Sequence, residues 1–157
     1  MIRFGLAIVA IVWVGAMAMG VRAGSVPATA PATQPLAMLT VRVTDLRNHK
    51  GQLIFGVFKS ADGFPKEEAK AINWQTRRID GDAVVFTASL LPGKYAASVL
   101  HDENMNNKMD MNWLGIPQEG YGVTNNPKPD YREARFDEAV FDLPAGGATM
   151  TISVQYF

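Results

Sequence analysis

The sequence predicts an all-β domain: an antiparallel β-sandwich of seven strands with one short helix and one long ordered loop. Apolar residues recur at every second position in several short runs, and this is the period of a half-buried strand. Turn residues separate the runs, as they do in sandwiches. A helical pattern occurs only once, after Pro65. The sequence therefore favours two packed sheets, with a small β-barrel as the alternative.

Seven runs are the predicted strands, and most of them are joined by recognisable turns. The runs lie at residues 39–44, 53–57, 74–79, 83–89, 94–101, 136–143 and 150–156. The first two are expected to form a hairpin in which Gly51 takes a positive φ. The third and fourth are expected to pair across Asp80-Gly81-Asp82, and the last two across residues 144–147. Short strands with such turns are typical of an immunoglobulin-like or transthyretin-like sandwich.

The first 23 residues carry an export pattern. A charged start that includes Arg3 precedes an uncharged apolar run, and Val21-Arg22-Ala23 offers small residues at a signal-peptidase site. Residues 1–23 are therefore predicted to be a signal peptide, with an uncleaved N-terminal anchor as the alternative. The mature protein is expected to be periplasmic or secreted. Because the chain lacks cysteine, no disulfide and no lipidated N-terminal cysteine is predicted.

The rest of the chain divides into a tether and one domain. Residues 24–36 are rich in Pro, Ala and Thr and carry no charge, which predicts a linker. Residues 37–157 have the size of one β-sandwich domain. Fifteen basic and fifteen acidic residues balance, so neither nucleic acid nor an anionic membrane is expected as the main partner. We expect a monomer with no stable membrane insertion after signal cleavage.

The segment from 102 to 135 breaks the strand rhythm and carries the most specific pattern in the chain. Oxygen-bearing groups recur at alternate positions, as at positions 1, 3, 5, 7 and 9 of an EF-hand-type calcium loop. The expected ligands are the side chains of Asp102, Asn104, Asn106 and Asp110 and the backbone carbonyl of Lys108. The twelfth position is Trp113, which cannot ligate, so we expect Ca²⁺ to bind weakly, at about 10⁻⁴ to 10⁻³ M.

Two questions about this loop stay open at the level of sequence. Glu103, Asn112 or the more distant Glu119 would have to fold back to complete a calcium shell, or water would have to do so. Alternatively, the Asp and Asn side chains only close Asx-turns onto their own backbone, and no metal binds.

Aromatic residues in the same segment suggest a second kind of site. Trp113, Tyr121 and Tyr131, with Trp74, have the flat amphipathic shape that stacks on sugar rings or contacts peptides. The alternative is that they pack the core and the loop. Exposure of two of them side by side would favour ligand binding, whereas burial of all of them would favour a structural role.

Catalysis is not expected. The two histidines, His49 and His101, lie far apart in the chain, and no nucleophile elbow, zinc-protease motif or phosphate loop is present. His101 beside Asp102 leaves a hydrolase-type general base as a remote alternative. We therefore expect an exported envelope or secreted module of unknown ligand, with either a binding or a structural role and with calcium as a possible cofactor. The first alternative is a glycan- or peptide-binding module that uses the loop aromatics.

The domain also resembles a known bacterial family, catalogued as domain of unknown function 2141, over roughly residues 39–157. The motifs that carry the resemblance are Gly63-Phe64-Pro65 with Lys70-Ala71, Leu91-Pro92-Gly93-Lys94-Tyr95, His101-Asp102-Glu103-Asn104, and residues 113–122. The resemblance implies no activity. The Leu91–Tyr95 turn is also similar to turns in transthyretin-like and carboxypeptidase regulatory-like modules, which favours a sandwich. Asn107 stands where the family pattern would have Gly, and Asn tolerates a left-handed backbone.

Overall fold

A computed structural model describes residues 34–128 and 132–157 of the protein. The predicted signal peptide, most of the predicted linker and Tyr131 lie outside these residues. The described strands are β1 Ala37–Thr44, β2 Gln52–Phe58, β3 Asn73–Arg78, β4 Val84–Leu90, β5 Gly93–Asp102, β6 Gly120–Val123, β7 Phe141–Leu143 and β8 Ala148–Ser153. A 3₁₀ turn at Glu68–Lys70 and one short helix, α1 Phe136–Ala139, accompany them.

These strands form two sheets, which confirms the all-β class. One sheet has the order β4-β1-β8, and the other has the order β3-β2-β5-β6, with β7 also pairing with β5. The described residues thus hold eight strands where the sequence predicted seven. Antiparallel pairing throughout was also wrong, because β1 and β8 run parallel, with Leu39 opposite Ala148 and Thr44 opposite Ser153.

The three predicted hairpins were wrong as well. β1 pairs with β4 and β8, whereas β2 pairs with β3 and β5, so the first two strands lie in different sheets. The same holds for β3 with β4 and for β7 with β8. Gly51 does have a positive φ of 71°. Turn residues reverse the chain, but side-chain packing decides in which sheet the next strand lies.

Two short elements also differ from prediction. The predicted strand at 136–143 is helical in its first half, where the Arg135 N–H donates to Glu138 Oε2 at 2.8 Å. Hydrogen bonds from Arg132 and from the Arg135 backbone lower the pKa of Glu138 to about 2, so this carboxylate stays ionised at the positive end of α1. The predicted helix after Pro65 is reduced to the 3₁₀ turn.

The core lies between the two sheets, and β5 is its central strand. Inward-facing side chains from both sheets are fully buried, and Phe55 of β2 stacks on Phe86 of β4 with ring centroids 4.7 Å apart. A second apolar cluster covers the other face of β5, where Phe64 and Phe136 pack against Ala96. Strand β5 is therefore buried on both faces. It forms a rigid base for the loop that follows it.

The described residues contain no helix that is long and apolar enough to cross a bilayer.

Candidate functional site in the loop between β5 and β6

The longest described connection spans residues 103–119 and joins two paired strands. His101 of β5 lies opposite Gly120 of β6, and Ser98 lies opposite Val123, so both ends of this β5–β6 loop are fixed by the sheet. Tyr121 also exchanges two backbone hydrogen bonds with Gln155, at 3.0 and 2.8 Å, which joins the two sheets at this edge. The loop therefore projects from a rigid corner of the domain.

Asp102 organises the first half of the β5–β6 loop. Its side chain is fully buried, and its carboxylate accepts three hydrogen bonds. Oδ1 accepts from the Asn106 N–H at 3.1 Å, and Oδ2 accepts from the Asn107 N–H at 2.9 Å and from Gln52 Nε2 at 2.8 Å. These donors replace the water that burial removes. They also hold the turn in which Asn107 has the positive φ, 61°, that its residue type allows.

Asp110 closes the same turn from the other side. Its carboxylate accepts from Asn104 Nδ2 at 2.5 Å and from Asn106 Nδ2 at 3.0 and 3.2 Å. The oxygens of the two Asn side chains accept backbone N–H groups two residues further on, that of Asn106 at 3.0 Å and that of Lys108 at 2.9 Å. The structure thus brings all four predicted side-chain ligands into one network. The Asx-turns of the alternative interpretation are part of this network.

Glu119 ties the two halves of the loop together, a role that the sequence analysis did not assign to it. It is only 4% exposed, and its carboxylate accepts the Glu103 N–H at 2.9 Å and the Asp110 N–H at 3.2 Å. Burial raises the pKa of Glu119, and the charges of Asp102 and Asp110 add to this rise, although both backbone hydrogen bonds oppose it. Three carboxylates therefore lie near one another at the base of the loop.

This arrangement is not a ready-made chelate of acidic side chains. Among residues 34–128 and 132–157, no three His, Cys, Asp or Glu side chains are grouped so that they could hold a metal ion. A cation in the Asp102–Asp110 turn would depend on the neutral oxygens of Asn104 and Asn106. Those amides now point their N–H₂ groups at Asp110 and would have to turn.

Arg47 fastens the loop to the sandwich. Its guanidinium donates to Glu103 Oε1 at 2.6 Å and to the Gln118 carbonyl at 2.7 Å, so it holds both arms of the loop at once. It also lies over the ring of Tyr156, 4.6 Å from the centroid. Burial alone would raise the pKa of Glu103, but hydrogen bonds from Arg47 and Asn48 outweigh it and lower that pKa.

His101 is built into the same base. The ring is fully buried, with Nδ1 2.6 Å from the Tyr156 hydroxyl and Nε2 2.8 Å from the Lys50 carbonyl. Since a carbonyl only accepts, Nε2 must carry a hydrogen. Both ring nitrogens thus bond to the protein. We assign His101 a structural part in the base of the loop.

The second half of the loop is a small hairpin, residues 111–117, which we call the tip hairpin. Met111 pairs with Pro117, and the Asn112 N–H donates to the Ile116 carbonyl at 2.9 Å. The side-chain oxygen of Asn112 accepts the N–H groups of Leu114 at 2.8 Å and of Ile116 at 3.0 Å. At the end of this hairpin the side chain of Trp113 is 90% exposed.

The other predicted ligand-binding aromatics are placed differently. Tyr121 is half-buried in β6 and stacks on Phe157, with ring centroids 5.8 Å apart. Trp74 is half-buried in β3, with its ring edge-on to Phe58. Tyr131 lies outside the described residues. A shared platform of Trp113, Tyr121 and Tyr131 therefore stays a prediction.

Residues 41–152 match the family model described as "Uncharacterized protein conserved in bacteria (DUF2141)". The chain belongs to this family. The match runs from β1 to β8 and includes the whole β5–β6 loop, which confirms the family predicted from the sequence motifs. No curated protein and no solved structure matches the chain, so the function of this DUF2141 domain has to be argued from its own geometry.

Proposed function

We propose that this DUF2141 domain is a binding module, exported to the periplasm or secreted, and that its β5–β6 loop recognises a component of the cell envelope. The exposure of Trp113 at the end of a hydrogen-bonded hairpin carries this proposal. Loops on a rigid scaffold are the usual place for binding residues. Large aromatic side chains dominate the energetics of interfaces, and leaving one in water has no structural benefit.

The rest of the loop supports this interpretation. The buried carboxylates of Asp102 and Glu119 and the exposed guanidinium of Arg47 hold the loop in one conformation through hydrogen bonds. Such preorganisation lowers the entropy cost of binding. A purely structural envelope protein is the alternative, but that role gives no reason to present Trp113 to solvent. A hydrolase-type enzyme is less favoured, since the ring of His101 is buried and bonded at both nitrogens.

Two more specific proposals, on the type of sandwich and on the binding surface, accompany this one. The sandwich is proposed to be of immunoglobulin-like or transthyretin-like type, because its short strands are divided between two sheets. A glycan- or peptide-binding surface formed by Trp113, Tyr121 and Tyr131 is the alternative to recognition by the tip hairpin alone.

The test of the proposed function is cosedimentation of the protein with washed cell envelopes. Trp113→Ser is expected to reduce the bound fraction strongly, because it removes the largest exposed apolar side chain of the loop. Leu36→Ser is the matched control, since Leu36 is 61% exposed but lies just before β1, outside the loop. Equal binding of the wild type and Trp113→Ser would contradict the proposal. The mature form is used, with its cleavage verified by intact mass, because an uncleaved N-terminal anchor would hold all three proteins on membranes alike and hide any difference between them.

We propose in addition that the Asp102–Asp110 turn binds Ca²⁺ weakly. The observation in favour is that the Asp110 carboxylate has three amide hydrogen bonds from Asn104 and Asn106, whose oxygens are hard ligands once those side chains rotate. Hydrogen bonds to Asp110 are lost in that rotation, so binding is weak. Calcium is preferred over magnesium, because the ligands are flexible and partly neutral.

Millimolar calcium is therefore expected to raise the melting temperature of the protein. Mass action stabilises the folded state by about 1.4 kcal/mol at a tenfold excess over the dissociation constant. Asp110→Ala should abolish the rise, whereas Asp80→Asn, an exposed acid in another loop, should leave it intact. No calorimetric heat and no stabilisation at about 10 mM calcium, roughly ten times the weakest expected constant, would leave only the Asx-turn interpretation.

A further inference from the structure

The tip hairpin is apolar and free of charge. Between Asp110 and Glu119 the sequence Met-Asn-Trp-Leu-Gly-Ile-Pro-Gln contains no charged residue. Trp113 is 90% exposed, Leu114 61% and Met111 49%. Three large apolar side chains thus meet solvent together on seven residues, which is an unusual surface for a folded protein to present.

Four backbone N–H groups of the tip hairpin are already hydrogen-bonded within it. The N–H groups of Leu114 and Ile116 donate to the Asn112 side chain, and the Gly115 N–H donates to the Asn112 carbonyl at 2.9 Å. The Asn112 N–H donates to the Ile116 carbonyl. A segment outside helices and sheets is costly to move into hydrocarbon because its backbone N–H and C=O groups lack hydrogen-bond partners there. That cost is therefore small for these four N–H groups.

The nearest acidic groups in the chain face the protein. Asp110 points at the amides of Asn104 and Asn106, and the carboxylate of Glu119 is buried on two backbone N–H groups. The tip can therefore leave water without desolvating an ionised side chain. A surface without ionised side chains is compatible with an apolar phase.

We propose that the tip hairpin enters the interfacial region of a lipid bilayer, with the Trp113 ring among the headgroups and Leu114 and Met111 beside it. This inference rests on the proposed function and names its partner. Trp is the residue best suited to that interface, because its ring is apolar and its N–H is polar. A sugar would need several polar partners beside the ring, and the tip hairpin offers it only the Asn112 N–H₂ group as a side-chain partner, since the Asn112 oxygen already accepts two hydrogen bonds.

The balanced charge of the chain indicates which kind of lipid the tip hairpin should bind. Attraction to anionic lipid is not expected, so the tip should bind zwitterionic phosphatidylcholine and should do so independently of salt.

Fluorescence of the mature protein with Trp113 as its sole tryptophan tests the inference. Trp74→Phe removes the other tryptophan, since Trp13 lies in the predicted signal peptide. On addition of phosphatidylcholine vesicles with brominated acyl chains, the Trp113 emission should shift to the blue and be quenched, at low and at high salt. Leu114→Asn should raise the lipid concentration at half-quenching about tenfold or more, given the usual value of burying a leucine. Leu36→Asn, an equally exposed leucine outside the loop, should not change it.

The outcomes separate the two proposals. Trp113 emission that is unchanged by vesicles but changes with soluble peptidoglycan fragments would overturn the lipid inference and keep the loop as the recognition element. Trp113 emission that stays solvent-exposed with both probes would overturn the lipid inference, and the envelope-bound fraction of Trp113→Ser would then decide the proposed function by itself. Quenching that is equal in the Leu114→Asn variant would also overturn insertion of the tip.

Discussion

Asp102→Ala is expected to lower the free energy of unfolding by about 3 kcal/mol, because it removes a fully buried carboxylate that accepts three hydrogen bonds. The N–H groups of Asn106 and Asn107 and the amide of Gln52 all bond to this carboxylate. Urea denaturation in the presence of a chelator measures the change. Chelation removes any contribution from calcium.

Two further variants control this result. Asp142→Ala removes an exposed acid of β7 that pairs with Lys94, and its effect should stay within about 0.5 kcal/mol. Asp102→Asn keeps one acceptor oxygen and should lie between the wild type and Asp102→Ala. A loss below about 1 kcal/mol for Asp102→Ala, the net value of a single ordinary hydrogen bond, would mean that Asp102 does not organise the loop.

Gly51→Ala is expected to lower the free energy of unfolding by a similar amount, but through backbone strain and overpacking and not through lost hydrogen bonds. Gly51 has a φ of +71°, and a Cβ there would lie 2.0 Å from the Asp102 carbonyl oxygen and 2.6 Å from the Glu103 Cα. These are backbone atoms at the end of β5, and they cannot move without disturbing the pairing of Gln52 with Asp102. Left-handed strain and overpacking together predict a loss of about 3 kcal/mol in the free energy of unfolding, measured by thermal or urea denaturation.

Gly115→Ala provides the matched control. Gly115 has nearly the same φ, +77°, but a Cβ there would meet nothing within 4 Å. Strain at the positive φ should therefore be the only destabilising effect in this variant, and it should lower the free energy of unfolding by about 1 to 2 kcal/mol. Equal losses for Gly51→Ala and Gly115→Ala would show that the close contact with Asp102 is not present in solution.

The strands could be predicted from the sequence, but their partners could not. β1 and β8 alternate between apolar and polar residues because one face of each is buried, and that pattern is local. Whether β2 pairs with β1 or with β3 depends on contacts across the sandwich, which the turn at Gly51 does not encode. α1 was missed because its four residues hold their helical shape through Arg132 and Arg135, neighbours that a strand pattern ignores.

The candidate site, too, was predictable from the sequence only in part. The grouping of Asp102, Asn104, Asn106 and Asp110 was predictable, because alternate spacing in a short turn brings such side chains together. Glu119 was mentioned only as a distant ligand, since the N–H groups it accepts belong to residues 9 and 16 positions earlier. Its position depends on β6, a strand that the sequence pattern did not predict: Glu119 lies directly before β6, and β6 pairs with the strand that ends at Asp102.

The sequence predicted Trp113 as a ligand-binding aromatic, with packing in the loop as the alternative, and could not decide between its exposure and its burial. Its exposure depends on the Asn112 side chain, which bonds Leu114 and Ile116 and so closes the hairpin without help from the tryptophan. Local hydrogen bonding thus replaces hydrophobic packing at the tip.

The central claim is that Trp113 serves binding and not stability. The most direct measurement is the envelope-bound fraction of Trp113→Ser, taken together with its melting temperature. The expected result is a melting temperature within about 2 °C of the wild type, as for an exposed side chain, and a bound fraction reduced about tenfold or more. A clearly lowered melting temperature with an unchanged bound fraction would contradict the claim.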